Sequence, residues 1–261
     1  MLEQGRNKGT TMAELHRTAV VLAAGFGSRL AAGVGGDQPK PLTIVAGTSL
    51  LMRSLHSLEF AGCQHVMLVA GFKAEQLEKA VRDEYSGPLK VSVVVNREFD
   101  LQNGVSVLSA REHLSETFLL TMADHVFDRS IMELAGAHRP PEGGATLLVD
   151  RKLDKIFDMD DATKVRSCGQ NIAAIGKELD AYDCVDTGLF VCTHGLLNAL
   201  EAYYRIHGDV SLSNGVQSLA DESLMSILDI GDAFWQDIDT PEMLANAELI
   251  LNCASSSASQ K

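Results

Sequence analysis

Lys40 stands between two prolines in "QPKPL", and the Gly-rich stretch "VVLAAGFGSRLAAGVGGD" runs into it from an apolar segment of strand length. Proline on both sides restricts φ and biases the backbone away from helix, so the ammonium is held on an extended arm at small entropic cost. Gly25 and Gly27 let the peptide N–H groups of the loop approach an anion, Ser28 follows, and Arg29 adds a guanidinium, a forked donor to phosphate. Neither common phosphate motif is present. No Gly-Lys-[Ser/Thr] closes the loop, and Arg29 and Leu30 stand where a dinucleotide fingerprint needs its third glycine. A long loop directly after a buried strand is usually functional.

Acidic residues with matching placement lie further along. Asp124 ends the apolar run "FLLTMAD", which puts its carboxylate at the C-terminal edge of a sheet, where open α/β folds bind ligands. In "WQDIDTPEML" Asp237 and Asp239 alternate, so both face one side if the segment is extended. Asp239 or Thr240 is also placed to cap the helix that Pro241 begins, with Glu242 in its first turn.

The elements that must position these groups follow from hydrophobic period. Strands are predicted at 19–24, 65–70, 91–95 and 118–122, alternating with helices at 49–61, 74–83 and 104–114, which implies a parallel sheet with crossover helices. Thr48 or Ser49 can cap the first of these helices, Leu51, Leu55 and Leu58 form its buried stripe, and Gly62 can end it. After Pro140-Pro141 shorter β-type runs appear at 145–149, 156–157, 164–165, 171–175 and 185–191, with helices again at 196–206, 212–220 and 241–251 and a run at 225–230 before the last of them. The expected fold class is α/β: a Rossmann-like, mostly parallel sheet flanked by helices, with a small mixed β insertion at roughly 143–192 covering the site. Residues 1–17 read as a disordered leader with Met12 as an alternative start, 18–252 as the domain, and 253–261 as a flexible tail or the first residues of a linker to a downstream domain.

Composition narrows the partners. A net charge of −13 over 261 residues lacks the basic field that a general nucleic-acid binder or a binder of anionic membranes needs. Five cysteines form no C-x-x-C pair and accompany no secretory pattern, which fits reduced thiols of the cytoplasm acting as core filler. No apolar run approaches the roughly 18 residues of a membrane span. Apart from His125, the histidines form no metal spacing and read as structural or surface groups.

The segments "LAAGFGSRL…QPKPL" and "VAGTSLLMRSLHSLEFAGCQHVMLVAGFKAEQL" resemble the nucleotidyltransferases that join a nucleoside triphosphate to a phosphorylated sugar or alcohol, the MobA-like NTP transferase fold. With "NGVSVLSA", "TMADHVFD", "DDATKV", "IGKEL" and "VDTGLFV" the chain is most similar to the CTP:inositol-1-phosphate cytidylyltransferases, over roughly residues 18 to 252. The resemblance implies transfer of CMP from CTP to inositol-1-phosphate or a related phosphorylated or phosphonylated alcohol, with release of pyrophosphate. It implies Mg²⁺ held by Asp124 and by Asp239 or Asp237, with Asp239 ranked first. Leu22, Ala23, Ala24, Gly25, Gly27, Ser28, Arg29 and Lys40 are then the triphosphate site, Arg29 and Lys40 acting with Asp124 in catalysis, and Gly71, Asn103 and Ser106 lie near the nucleotide. His125, where many sugar-nucleotide enzymes carry D-x-D, falls on the acceptor side with Lys164, Lys177 and Asp186. Relatives of this kind admit a homodimer. Five Cys, nine Met and 22% charged residues do not match a hyperthermophile's composition, which leaves phosphocholine and phosphonates open as acceptors.

Overall fold

The structure is a computed structural model that describes residues 16–25, 30 and 38–258, with side chains through Cys253. Gly27, Ser28 and Arg29 of the expected triphosphate loop lie outside the described residues, as does most of the expected leader.

The strand "TAVVLA", β1 (Thr18–Ala23), is buried along its whole length, as a central parallel strand covered on both faces must be. It pairs in parallel with β4 (His65–Ala70) on one side and β6 (Thr117–Met122) on the other, and β5 (Lys90–Val95) extends the parallel half beyond β4. Beyond β6 comes the antiparallel β11 (Cys184–Thr193), then β8 (Ala145–Asp150) and, parallel to β8, β12 (Met225–Asp229). The hairpin of β9 (Lys164–Cys168) and β10 (Asn171–Gly176) completes a nine-stranded sheet of order β5-β4-β1-β6-β11-β8-β12-β10-β9.

Period-two alternation divides the core. Val20 and Leu22 face one layer with α3 (Asn103–Ser109), α5 (His194–His207) and α6 (Leu212–Asp221), through residues such as Val105, Leu196 and Val216. Ala19, Val21 and Ala23 face the other, with α1 (Leu50–Phe60), α2 (Ala74–Glu84) and α4 (Arg129–Ala137). On α1 the predicted stripe of Leu51, Leu55 and Leu58 is fully buried, each side chain contributing about 1.5–3 kcal/mol of transfer free energy. Ser49 caps it by accepting from the Met52 N–H, and Gly62 ends it at φ +81 to +87° typical of the short turn there, its own φ being +87°.

Several expectations on the second half change. The residues 143–192 are not an insertion: β8 and β11 are central strands of the main sheet, and only 151–183 forms a lobe beside the C-terminal ends of the strands. The run 156–157 is not a strand but follows a single 3₁₀ turn at Leu153–Lys155. The last helix, α7 (Pro241–Ala258), carries Cys253–Ala258 that were expected in a tail. At the other end His16 and Arg17 belong to the fold rather than to a leader. His16 is buried and bonds to the His138 carbonyl at 2.7 Å, while the Arg17 carbonyl accepts from the Gln64 and His65 N–H groups. Of the cysteines, Cys63, Cys184 and Cys192 are buried, but Cys168 and Cys253 are exposed.

Candidate active site

The strand order around β1 reverses between β1 and β6, and a cleft opens at the C-terminal ends of these strands, the place where doubly wound sheets bind ligands. β1 runs out through Ala24 into Gly25, whose position is open to solvent, and β6 runs out through Ala123 into Asp124. The two exits are tied by the Ala123 N–H donating to the Leu22 carbonyl at 2.9 Å. The cleft beyond them has a volume of about 620 Å³.

Lys40 reaches into this edge from a 3₁₀ turn, Lys40–Leu42, that Pro39 and Pro41 hold in place. Its side chain is 8% exposed, and its Nζ donates to Asp124 Oδ2 at 2.6 Å and also to Asp239 Oδ1. Burial alone would lower the pKa of this ammonium, but Asp124 and Asp239 outweigh it and push the value up. Asp124 is likewise a buried carboxyl that burial would raise, and Lys40 with His125 holds it well below the usual carboxylate range.

A two-stranded ribbon frames the carboxylates. β7 (His125–Phe127) pairs with β13 (Trp235–Asp237), placing Asp237 opposite His125 and Trp235 opposite Phe127. The Ile238 N–H donates to the Asp124 carbonyl at 2.9 Å and extends the ribbon by one bond. Val126 and Ile238 turn into a small third core with Leu50 and Ala247, so the alternate residues face the cleft. The expected same-side placement of Asp237 and Asp239 is therefore what the backbone produces. The capping alternative resolves as well: Thr240 Oγ1 accepts from the Met243 N–H at the start of α7, which leaves Asp239 on Lys40. Asp237 is raised by burial first and then by the Asp239 and Asp124 charges, against the pull of His125.

On the opposite wall β11 carries a bulge between Asp186 and Phe190, with Gly188 at φ +75°. The Gly188 N–H donates to Asp186 Oδ1 at 2.7 Å, and burial pushes the Asp186 carboxyl up to about 6. A Cβ at Gly188 would lie 2.5 Å from His125 Nε2, so only glycine lets this strand pass the imidazole. His125 Nδ1 in turn bonds Asp124 Oδ1 at 2.6 Å.

The remaining expected site residues divide. Lys177 lines the cleft beside Asp161, its ion-pair partner, whereas Lys164 is turned away, bonded to the Lys177 carbonyl and set over the Tyr182 ring. Asn103 lines the cleft, and its Oδ1 accepts from the Leu212 N–H at 2.8 Å. Ser106 does not reach the cleft. It is 4% exposed, and its hydroxyl accepts from Asn96 Nδ2 at 3.0 Å, so it braces α3 against the end of β5. Leu22 and Ala23 direct their side chains into the two core layers, and Ala24 offers its carbonyl to the Phe72 N–H. Gly71 sits against this exit, where an added Cβ would meet Phe99 at 2.4 Å and the Ala24 carbonyl at 2.9 Å.

Two cleft residues escaped the sequence reading. Asp150 ends β8 as Asp124 ends β6, and Trp235 begins β13. The signal for Asp150 was available, since "ATLLVD" is an apolar strand closed by an aspartate, as is "FLLTMAD".

Among the described residues no three or more His, Cys, Asp or Glu side chains are gathered as a ready-made metal site. The donor set is nevertheless suited to a hard cation. Mg²⁺ needs one or two carboxylates when phosphate oxygens and water complete its octahedron, and Asp124 and Asp239 supply two that meet at one ammonium. No helix among the described residues is long and apolar enough to cross a membrane.

Comparison with known proteins places this geometry. An inositol-1-phosphate CTP transferase from T. maritima superposes with a TM-score of 0.78 at 30% identity, over 90% of this chain and 97% of that one. A bifunctional IPC transferase and DIPP synthase of Aquifex aeolicus is 31% identical over 234 residues, 90% of this chain and 51% of the relative. The CMP-5'-(3-aminopropyl)phosphonate synthase of Streptomyces rubellomurinus is 32% identical over 248 residues, 85% of this chain and 37% of the relative. The chain thus spans about half the length, or less, of these curated relatives. Residues 19–209, from the first strand through the helix that follows β11, match the MobA-like NTP transferase domain, and the chain belongs to that family.

Proposed function

We propose that the chain is a cytidylyltransferase that moves CMP from CTP to a small phosphorylated alcohol of the inositol-1-phosphate kind. The observation that carries this reading is Lys40 buried between Asp124 and Asp239 at the switch point of the sheet, in the mouth of a cleft of about 620 Å³. An oxygen of the acceptor phosphate attacks the α-phosphorus of the nucleotide, the bond from that phosphorus to the bridging oxygen of the β-phosphate breaks, and pyrophosphate leaves. Such a transfer depends mostly on position and charge. Mg²⁺ on Asp124 and Asp239 would neutralise phosphate charge as it builds up. Lys40 then turns from the carboxylates to the phosphates, and Arg29 belongs to the same clamp. Backbone N–H groups from Ala24 through Ser28 line the triphosphate, and Gly71 leaves room beside the base. On the acceptor side Asp186, whose carboxyl is raised to about 6, and Lys177 flank the lobe, ready for hydroxyls and phosphate.

The inositol-1-phosphate acceptor is supported by the likeness to the T. maritima transferase at 30% identity. A phosphonate acceptor is the second reading, favoured by the Streptomyces synthase at 32% identity. One experiment separates them: pyrophosphate release with each of four nucleoside triphosphates against inositol-1-phosphate, 2-hydroxyethylphosphonate, phosphocholine and glucose-1-phosphate. The proposal expects CTP with inositol-1-phosphate to be fastest, and release to stop in Asp124→Asn. Absence of turnover across the whole matrix with Mg²⁺ present would sink it.

A further inference from the structure

We infer that Trp235 and Asp150 are positioning residues that aim the Asp124 carboxylate, acting through the imidazole of His125. The inference rests on the nucleotidyl-transfer reading, because it gives Asp124 a cation to hold.

The contacts form a continuous path. Asp124 Oδ1 accepts from His125 Nδ1 at 2.6 Å, which leaves Oδ2 for Lys40 and fixes which oxygen points where. The imidazole itself sits on a ribbon of two three-residue strands, so its orientation needs support from side chains. His125, Phe127 and Trp235 share one face of that ribbon. The imidazole lies 5.9 Å from the Phe127 ring at 25° and 6.0 Å from the Trp235 ring at 16°. Gly188 closes the remaining side against Nε2. The indole is held in turn by its Nε1–H, which donates to Asp150 Oδ2 at 2.8 Å.

Asp150 is the fixed end. It is 3% exposed at the close of the central strand β8. Its other oxygen receives the Lys152 ammonium at 2.8 Å and the Lys152 N–H at 2.7 Å. Lys152 is tied further to the Gly231 carbonyl. A carboxylate with both oxygens engaged on a rigid strand is a costly arrangement to maintain for an indole N–H that water could satisfy at the cleft wall. Its use becomes clear at the other end of the path, where outer groups that orient a metal-holding carboxylate are worth about 10- to 100-fold in affinity or activity.

The test is Mn²⁺ binding, followed by the electron paramagnetic resonance of free Mn²⁺, on the full chain and on Asp150→Ala, Asp150→Asn, Trp235→Leu and Trp235→Phe. Asp150→Ala and Trp235→Leu are expected to weaken Mn²⁺ binding about tenfold. In turnover they should raise the Mn²⁺ concentration for half-maximal rate while leaving the KM for the acceptor near its wild-type value. Asp150→Asn keeps an oxygen for the indole and should bind Mn²⁺ within about twofold of wild type; Trp235→Phe keeps the ring face and should fall between. Trp235 is the chain's one tryptophan, so its emission reads the same link independently. The spectrum should shift to the red in Asp150→Ala and hold in Asp150→Asn. Wild-type Mn²⁺ binding in both Asp150→Ala and Trp235→Leu would overturn the inference while leaving the function standing. If those two fail to fold, equal loss in Asp150→Asn and Asp150→Ala, or wild-type binding in Trp235→Phe without any loss, overturns it as well. A wild-type chain that neither binds Mn²⁺ nor releases pyrophosphate overturns the function reading and the inference together.

Discussion

Replacing Lys40 by methionine isolates the electrostatic centre of the site, because the side chain keeps its length and apolar stem and loses its charge. In the folded chain the ammonium is 8% exposed between carboxylates that are 27% and 20% exposed, with Asp237 close enough to be raised by both. Removing one partner of a buried pair costs about 3–5 kcal/mol, and the partial exposure of the carboxylates places this site at about 3 kcal/mol, the lower end. For a domain of this size about 1 kcal/mol moves Tm by roughly 2–4 °C, so Lys40→Met should melt about 6–12 °C below wild type at pH 8. The pH dependence should also reverse. In the wild type Asp124 is held below its unfolded value, so its contribution is complete above about pH 4 and is lost as the pH falls through the folded value. In the variant Asp124, Asp237 and Asp239 face one another without the ammonium, so at least one is raised above its unfolded value. Stability is then greatest in acid and declines as the pH rises. Thermal melts from pH 5 to pH 8, with and without millimolar Mg²⁺, read the effect: the deficit should shrink toward pH 5 and shrink at pH 8 when Mg²⁺ is added. Pyrophosphate release should fall at least about 100-fold. A variant that melts within 2 °C of wild type at pH 8, or whose deficit grows toward pH 5, would refute the reasoning.

Ser106→Ala should lower stability by about 1–3 kcal/mol, since it strands the buried Asn96 amide, and should leave the KM for CTP within about twofold; a large KM effect would return Ser106 to the nucleotide site. Gly188→Ala should cost about 1–3 kcal/mol and most of the activity, because alanine at φ +75° is strained and its methyl would meet His125 Nε2; a Tm comparison and pyrophosphate release check both. His16 and His138 are each lowered, first by burial, so the unfolded chain binds protons that the folded chain does not. The stability they contribute is full above about pH 6.5 and is lost as the pH falls below it. Asp186 acts with the opposite sign, since its raised carboxyl favours the fold at low pH and loses that contribution as the pH rises through about 6. The difference in urea midpoint between wild type and His16→Gln therefore isolates the histidine part, and it should narrow from pH 7.5 to pH 5.5.

What could be read from the sequence follows the range of the interactions involved. β4 was placed at its observed bounds, 65–70, and β1 and β6 within a residue, because each is a buried apolar run closed by a polar or glycine exit. The stripe of α1 and its Ser49 cap are local too, and both were legible. α4 was missed although Ile131, Met132 and Ala135 carry the helical period, since nine residues ending in a glycine-containing turn give a weak signal. β7 and β13 were missed for a stronger reason: each has three residues, and neither is a strand until it meets the other across more than 100 positions of chain.

The same distinction explains why the two halves of the sheet read differently. β8 and β11 were found as strands but assigned to an insertion, because composition reports burial and not which neighbour a strand joins. In the first half every strand is parallel to the next and chain order limits the choices to right-handed crossovers. In the second half β11 runs antiparallel between β6 and β8, an arrangement decided by pairing over dozens of residues. That single reversal has a chemical result. It brings the start of β11, with Asp186 and the Gly188 bulge, to the same edge as the ends of β6 and β8, with Asp124 and Asp150. Three carboxylates separated by 26 and 36 positions along the chain thereby line one cleft, each at the point where an apolar strand gives way to a loop. The residue types were visible from the start; their convergence is a property of strand direction, and for that reason Asp150 passed unnoticed while Asp124, with the same local pattern, did not.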